Sequence, residues 1–339
     1  MDKDWLKISF IYVGTVIGAG FASGREIIEF FGIYGLKGII GITISGILFS
    51  SLGCLFLLKI YKNRIRGFDD LVERAFGTKF GTALDIIMVV SLYTGFSVMV
   101  SGSGAIFKEE LEMSFDLGMI VMVASSFMVL LFRLKGLSFI NTVLVPLLIL
   151  GIVFTSLYLI TDGQYNIYGN NGGINLTYKG NFFTSSLLYV GSNSLIIITV
   201  FSSLLPLISS RRAAVVGGIV GGSILYVLGL SILSVMLLYY PEVSTLDIPM
   251  LKISDYIGSN YRKFYAIILW IAIFTTAVAN GSSFVNRFSN SRHKISIAAI
   301  FCLSSLPLAK LGFSKLIGLI YPIFGFIGFS ILIVILVVL

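Results

Sequence analysis

The sequence predicts an all-α integral membrane protein of about ten transmembrane helices in a five-plus-five inverted repeat, and three observations predict it. Of the 339 residues, 57% are hydrophobic and only 12% charged, and the mean hydropathy of +0.99 lies far above that of soluble globular chains. Apolar runs of roughly 20 residues, enough to cross about 30 Å of hydrocarbon, recur along the chain and leave no segment for a sizeable soluble domain. The layout of those runs repeats at a nearly constant offset of about 177 residues.

Hydrophobic runs between charged or turn-rich punctuation place helices near 5–31, 36–61, 82–107, 117–133 and 137–160, then near 181–208, 213–240, 261–288, 294–309 and 314–338. The run from Trp5 lacks a small-residue cleavage site behind a short core and is expected to stay as the first span. Cys54 and Cys302 both fall inside apolar runs, where a thiol packs as a small hydrophobe. With a cytoplasmic N-terminus, 15 of the 24 Lys and Arg fall inside and eight outside, with Arg25 within a span. That asymmetry favours this orientation in the cell (plasma) membrane, as a multi-pass protein. The net charge of +8 is scattered among short loops, so topology explains it and no nucleic-acid partner is expected.

The repeat pairs helices two to five with seven to ten, starting 36 with 213, 82 with 261, 117 with 294 and 137 with 314. Its exceptions repeat too. The connections at 62–81 (with FDDLVERAFG) and 241–260 (with DIPMLKISDYIG) are both about 20 residues and read as short amphipathic helices. Because five is odd, the second set enters the membrane from the opposite side, giving one domain with repeats at about 5–160 and 181–339.

Each half opens with a helix whose middle is unsuited to helix. GTVIGAGFASG (Gly14 to Gly24) holds four glycines in eleven residues, each costing about 1 kcal/mol relative to Ala in a helix interior. In the sixth helix, Tyr189, Gly191, Ser192, Asn193 and Ser194 bring residues that compete for backbone hydrogen bonds to mid-span. Unpaired amides survive in lipid only where they face a cavity or a bound solute. A broken helix then offers N–H groups to an anion and carbonyls to a cation, and a zwitterion needs both. Close packing is the alternative role for glycine, and Gly217, Gly218, Gly221 and Gly222 of helix seven fit it.

Arg25, Glu26 and Glu29 follow the first break, at a depth where a charge costs about 2.5 to 3.5 kcal/mol. They read as gate, substrate contact or coupling groups, or as charges that reach the headgroups or pair with one another. Tyr93 and Ser97 in helix three are further substrate contacts, against a packing role for the tyrosine. Thr275 and Thr276 in helix eight could ligate Na⁺ through oxygen, against hydroxyls bonding their own helix's carbonyls. For proton coupling the available carboxylates are Glu26, Glu29 and Asp85.

Val16-Ile17-Gly18-Ala19-Gly20 after Gly14-Thr15 resembles the first-helix motif of the amino acid/polyamine/organocation (APC) transporter superfamily. The longer YVGTVIGAGFASGREIIEFFG, residues 12–32, resembles the YkvI-like amino acid permeases in particular. The resemblance implies a LeuT-type fold with discontinuous helices one and six and substrate between helices one, three, six and eight. It implies that the backbone of Gly18, Ala19, Gly20, Phe21, Ala22 and Ser23 meets a substrate carboxylate. Tyr189, Gly191, Ser192, Asn193 and Ser194 would meet its amino group, and Ile17 with Thr275 or Thr276 would hold Na⁺. The chain departs from the sodium-coupled members in carrying Glu26 directly after Arg25 and in a less glycine-rich second break.

The expected function is secondary active transport of a small amino-acid-like solute by alternating access, coupled to Na⁺ or H⁺, with no cofactor beyond Na⁺ as coupling ion. The alternatives are an ion or small-solute channel, whose filter unwound backbone can also line, and a non-transporting sensor of the same fold. No HExxH, usable Ser/His pair, intramembrane Asp pair or Cys/His cluster is present, so no enzymatic activity is expected. Gly20→Leu should abolish ligand binding while leaving membrane insertion intact, measured by thermal shift of the purified variant. Wild-type affinity in that variant would count against a site at Gly20.

Overall fold

The computed structural model describes residues 4–132, 137–162, 181–287 and 294–339, and every regular element among them is a helix. The first span is split into α1 (Asp4–Val16), α2 (Ala19–Ala22) and α3 (Arg25–Phe30). The first repeat continues through α4 (Lys37–Asn63), α5 (Phe68–Glu110), α6 (Phe115–Phe132) and α7 (Leu137–Asp162). The second runs through α8 (Phe182–Ser202), α9 (Arg211–Leu238), the short α10 (Tyr240–Val243) and α11 (Pro249–Asp255), then α12 (Ser259–Arg287), α13 (Lys294–Ala309) and α14 (Phe313–Val338). Among the described residues seven helices are individually long and apolar enough to cross a bilayer. The shorter apolar α6 and α13 and the split first span bring the set to ten. Residues 163–180, between the two repeats, lie outside the described residues.

Large apolar side chains stay exposed on the outer surface, Leu150 by 64%, Phe326 by 71% and Val337 by 78%, which only a lipid environment makes favourable. The two long connections are helical, as the sequence predicts. The first is continuous with the third span through a kink at Gly77, whose φ of 68° suits glycine. The second forms α10 and α11.

Helices at matching places in the two halves pack on each other: α4 on α9, α5 on α12, α6 on α13 and α1 on α8. Small residues permit the close approach. A Cβ on Gly218 or Gly222 of α9 would collide with the backbone of Cys54 or Ser50 of α4, and one on Gly221 with the Tyr12 ring of α1. Tyr12 crosses that seam and donates its buried hydroxyl to the Phe49 carbonyl at 2.9 Å.

One sequence expectation is corrected. α8 runs unbroken through Tyr189, Gly191, Ser192, Asn193 and Ser194, where the sequence predicts a second interruption. The polar side chains there bond their own helix: Ser192 Oγ and Asn193 Nδ2 donate to the Tyr189 carbonyl at 2.8 and 3.1 Å, and Ser194 Oγ to Val190 O at 2.8 Å. Gly191 is a contact residue. A Cβ there would strike the Gly325 carbonyl of α14, while Cβ atoms on Gly325 and Gly328 would strike the carbonyls of Leu188 and Gly191. The helix ends at Ser202, short of the expected 208, and yields to a 3₁₀ turn at Leu205–Leu207 containing Pro206. Gly191→Ala is therefore expected to destabilise the bundle by about 1–3 kcal/mol through overpacking, read as a lower thermal unfolding midpoint in detergent. An unchanged midpoint would remove the packing explanation.

Candidate functional site

The first span breaks twice. At Ile17 and Gly18 the chain leaves the helix, with Gly18 extended, and at Gly24 it turns left-handed with φ 79°, a conformation that suits glycine. Several of the freed groups are taken up. Ser23 Oγ donates to the Gly20 carbonyl at 2.8 Å, Tyr265 Oη of α12 to the Ala22 carbonyl at 2.7 Å, and the Met250 amide of α11 to the Ser23 carbonyl at 3.0 Å. The carbonyls of Gly14, Thr15 and Ile17 and the N–H groups of Ala19, Gly20 and Phe21 have no backbone partner among the described residues. Bare donors and acceptors thus stand within a few residues of each other inside the bundle.

Arg25 and Glu26, consecutive at the start of α3, are both buried but serve different surroundings. Arg25 pairs with Glu29 one turn on and donates through Nη1 to the carbonyls of Ser244 and Leu246 at 2.7 and 2.9 Å. The segment 244–250, between α10 and α11, is clamped from two further helices. The Glu109 carboxylate of α5 accepts from the Asp247 and Ile248 amides at 2.9 and 3.2 Å, and the Asp247 carboxylate accepts from the Ser314 amide of α14 at 2.9 Å. This segment is thereby closed onto the break, through Arg25 at Ser244 and Leu246 and through Met250 at Ser23. Of the roles open to Arg25 and Glu29, the geometry brings them to this closure.

Glu26 turns the other way, over Gly20: a Cβ on Gly20 would collide with the Glu26 carboxyl, so the absent side chain is what admits the acid. Tyr321 belongs to α14, which packs against α3. The Tyr189 ring of α8 sits among Phe30, Phe31 and Phe49, and among the described residues its buried hydroxyl has no hydrogen-bond partner. No Lys, Arg or His is paired with Glu26 among the described residues.

The remaining sequence-predicted residues divide. Phe21, Ala22 and Ser23 are buried in the same interrupted span as Gly18, Ala19 and Gly20. Tyr93 points elsewhere, donating its hydroxyl to the Ser304 carbonyl of α13 at 2.6 Å. Ser97 Oγ bonds the Tyr93 carbonyl of its own helix at 2.9 Å, and Ser192 and Asn193 do likewise within α8. Thr275 and Thr276 of α12, which packs against α2, both donate to the Ala272 carbonyl, at 3.1 and 2.9 Å. This is the own-helix bonding that the sequence analysis set against a Na⁺ role for these hydroxyls. Among the described residues no group of three His, Cys, Asp or Glu could hold a metal ion. Sequence reasoning passed over the acids Glu109 and Asp247.

Cavities beside the break are small. One of about 10 Å³, lined by Phe21, Ile42, Phe49, Tyr189 and Leu225, has space for about one water. Arg25→Met should loosen the closure: a cysteine placed at the buried Ile248 of the purified protein should react several-fold faster with a polar thiol reagent than in the Arg25 background. Equal rates would remove Arg25 from the closure.

No protein-family model matches the chain. It is 30% identical over 328 residues to the membrane protein YkvI of Bacillus subtilis (strain 168), covering 96% of this chain and 93% of that one. It is 27% identical over 337 residues to the Bacillus subtilis protein YyaD, covering 97% and 95%. Among solved structures it resembles the Eremococcus coleocola manganese transporter in complex with an aromatic bis-isothiourea compound, with TM-score 0.60, 14% identity, and 97% and 78% of the two chains covered. It also resembles the inward-facing conformation of Mhp1, with TM-score 0.58, 14% identity, and 95% and 72% covered. At such identities the likeness shows the fold, which is of the LeuT type.

Proposed function

The chain belongs to the YkvI family of membrane proteins, and from that premise we propose that it is a secondary active transporter of a small amino-acid-like solute, working by alternating access. The observation that carries this reading is the interrupted first span, which leaves carbonyls at Gly14, Thr15 and Ile17 and N–H groups at Ala19, Gly20 and Phe21 without a backbone partner among the described residues. Hydrocarbon penalises such groups by several kcal/mol each, roughly, unless something binds them. A solute with both donors and acceptors is the natural complement.

The manganese transporter and Mhp1, a nucleobase-cation-symport-1 family transporter, are solved neighbours in fold, and both are transporters by description. A metal cargo finds little support in this chain's described residues, which lack a cluster of three His, Cys, Asp or Glu. An organic solute bearing its own charges fits the mixed donors and acceptors better. Coupling would run through Na⁺ at Ile17 with Thr275 or Thr276, or through protons at the buried carboxyl of Glu26. The 244–250 closure is the gate on one side, and the N-in charge asymmetry puts that side outside the plasma membrane.

The test is a thermal-shift screen of the purified chain against amino acids, with and without Na⁺, followed by counterflow of any ligand in liposomes. Stabilisation by an amino acid together with counterflow is expected. Binding without counterflow would make the protein a sensor, and ion flux faster than any carrier cycle would make it a channel.

A further inference from the structure

Two carboxylates hold the 244–250 segment, and each takes two donors in a different way. On Glu109, at the end of α5, Oε1 accepts from the Asp247 amide at 2.9 Å and Oε2 from the Ile248 amide at 3.2 Å. Both oxygens are therefore committed to the segment's backbone. On Asp247 a single oxygen, Oδ1, accepts from the Ser314 amide at 2.9 Å and from the Ser314 hydroxyl, and Oδ2 carries no bond among the described residues.

Protonation treats the two acids differently, because a carboxyl that gains a proton turns one oxygen from acceptor into donor. Asp247 can carry that proton on Oδ2 and go on holding Ser314. Glu109 cannot: whichever oxygen takes the proton faces an amide N–H, so one of its two bonds to the segment is lost.

The charges around Glu109 are engaged elsewhere. Arg262 of α12 donates through Nη2 to the Glu109 carbonyl at 2.6 Å and through Nε to the Glu110 carboxylate at 2.6 Å, with Asp255 of α11 at 3.4 Å from its Nη1. Lys108 and Lys315, beside Glu109 and Ser314 in the chain, are exposed, and the segment itself brings Asp247. Among the described residues no cation is paired with the Glu109 carboxylate, which is half-buried and so within reach of water. The closed segment thus binds Glu109 in its ionised form. By linkage the closure is held while Glu109 is ionised and weakens as pH falls through its titration.

We propose that Glu109 is a proton-operated latch on the 244–250 closure, so that acid on that side of the membrane opens the way to the broken first span. This rests on the segment being a gate and is independent of the cargo and of any proton carried at Glu26. The Arg25 contacts and the Met250–Ser23 bond remain when the latch is released, so the closure loosens by steps.

The full chain, with Cys54→Ala and Cys302→Ala, is placed in lipid nanodiscs carrying either Ile248→Cys, at a buried position, or Ser114→Cys, at an exposed one. Each is treated with a polar thiol reagent from about pH 8 to about pH 5, and the ratio of the two rates removes the thiol's own titration. With Glu109 and Asp247 intact the ratio is expected to rise roughly tenfold on acidification. Glu109→Gln has one acceptor and one donor, like the protonated acid, and should show the high ratio across the whole range. Asp247→Asn keeps an oxygen for both Ser314 bonds and should keep the rise. A ratio that ignores pH, a rise that survives in Glu109→Gln, or one that vanishes in Asp247→Asn would overturn the latch and leave the transporter reading standing. If Glu109→Gln does not fold, the profile of the intact pair and that of Asp247→Asn decide. A ratio near unity at every pH would show Ile248 never covered, and would overturn the gate along with the latch.

Discussion

Hydrocarbon offers no hydrogen bonds, so a helix broken inside the membrane must find protein partners for what it frees, and that constraint organises this molecule. Around the first span, α12 sends Tyr265 to the Ala22 carbonyl, α11 sends the Met250 amide to Ser23, and α8 sends Ser185 to the Phe30 carbonyl. Elements distant in sequence are drawn together by the same few backbone groups. The carbonyls of Gly14, Thr15 and Ile17 and the N–H groups of Ala19, Gly20 and Phe21 keep no backbone partner among the described residues.

Two adjacent charges divide the labour that follows. Arg25 and Glu29 hold the 244–250 segment over the break, together with Glu109 and the Asp247–Ser314 contact. Glu26 turns back over Gly20. The ion pair and the lone acid thus share one short helix. The glycine seams between α4 and α9 and between α8 and α14 bring backbone against backbone, leaving little room for those pairs to slide.

Most of the helical layout was legible because it depends on composition alone. Each of the ten expected spans has its counterpart, as when the run near 261–288 returns as α12 at Ser259–Arg287. The glycines of helix seven were read as packing residues, and Gly218 and Gly222 indeed meet the α4 backbone. The second interruption was misread because Gly, Ser and Asn have two uses that look alike in sequence. At Gly14 to Gly24 they open the helix. At Gly191 to Ser194 they let α14 approach while the hydroxyls turn back to their own carbonyls.

What the sequence determined by itself was the solvent and the alternation of spans, because transfer of apolar side chains into lipid is additive along the chain and needs no knowledge of neighbours. It also located the first break, since four glycines in eleven residues weaken a helix locally whatever surrounds it. Only the tertiary structure decided that helix six stays whole, that Tyr93 turns to α13, and that Glu26 turns back over Gly20. Those outcomes depend on which backbone or side chain a neighbouring helix presents across a gap of a few ångströms, and that is set when the two halves pack together.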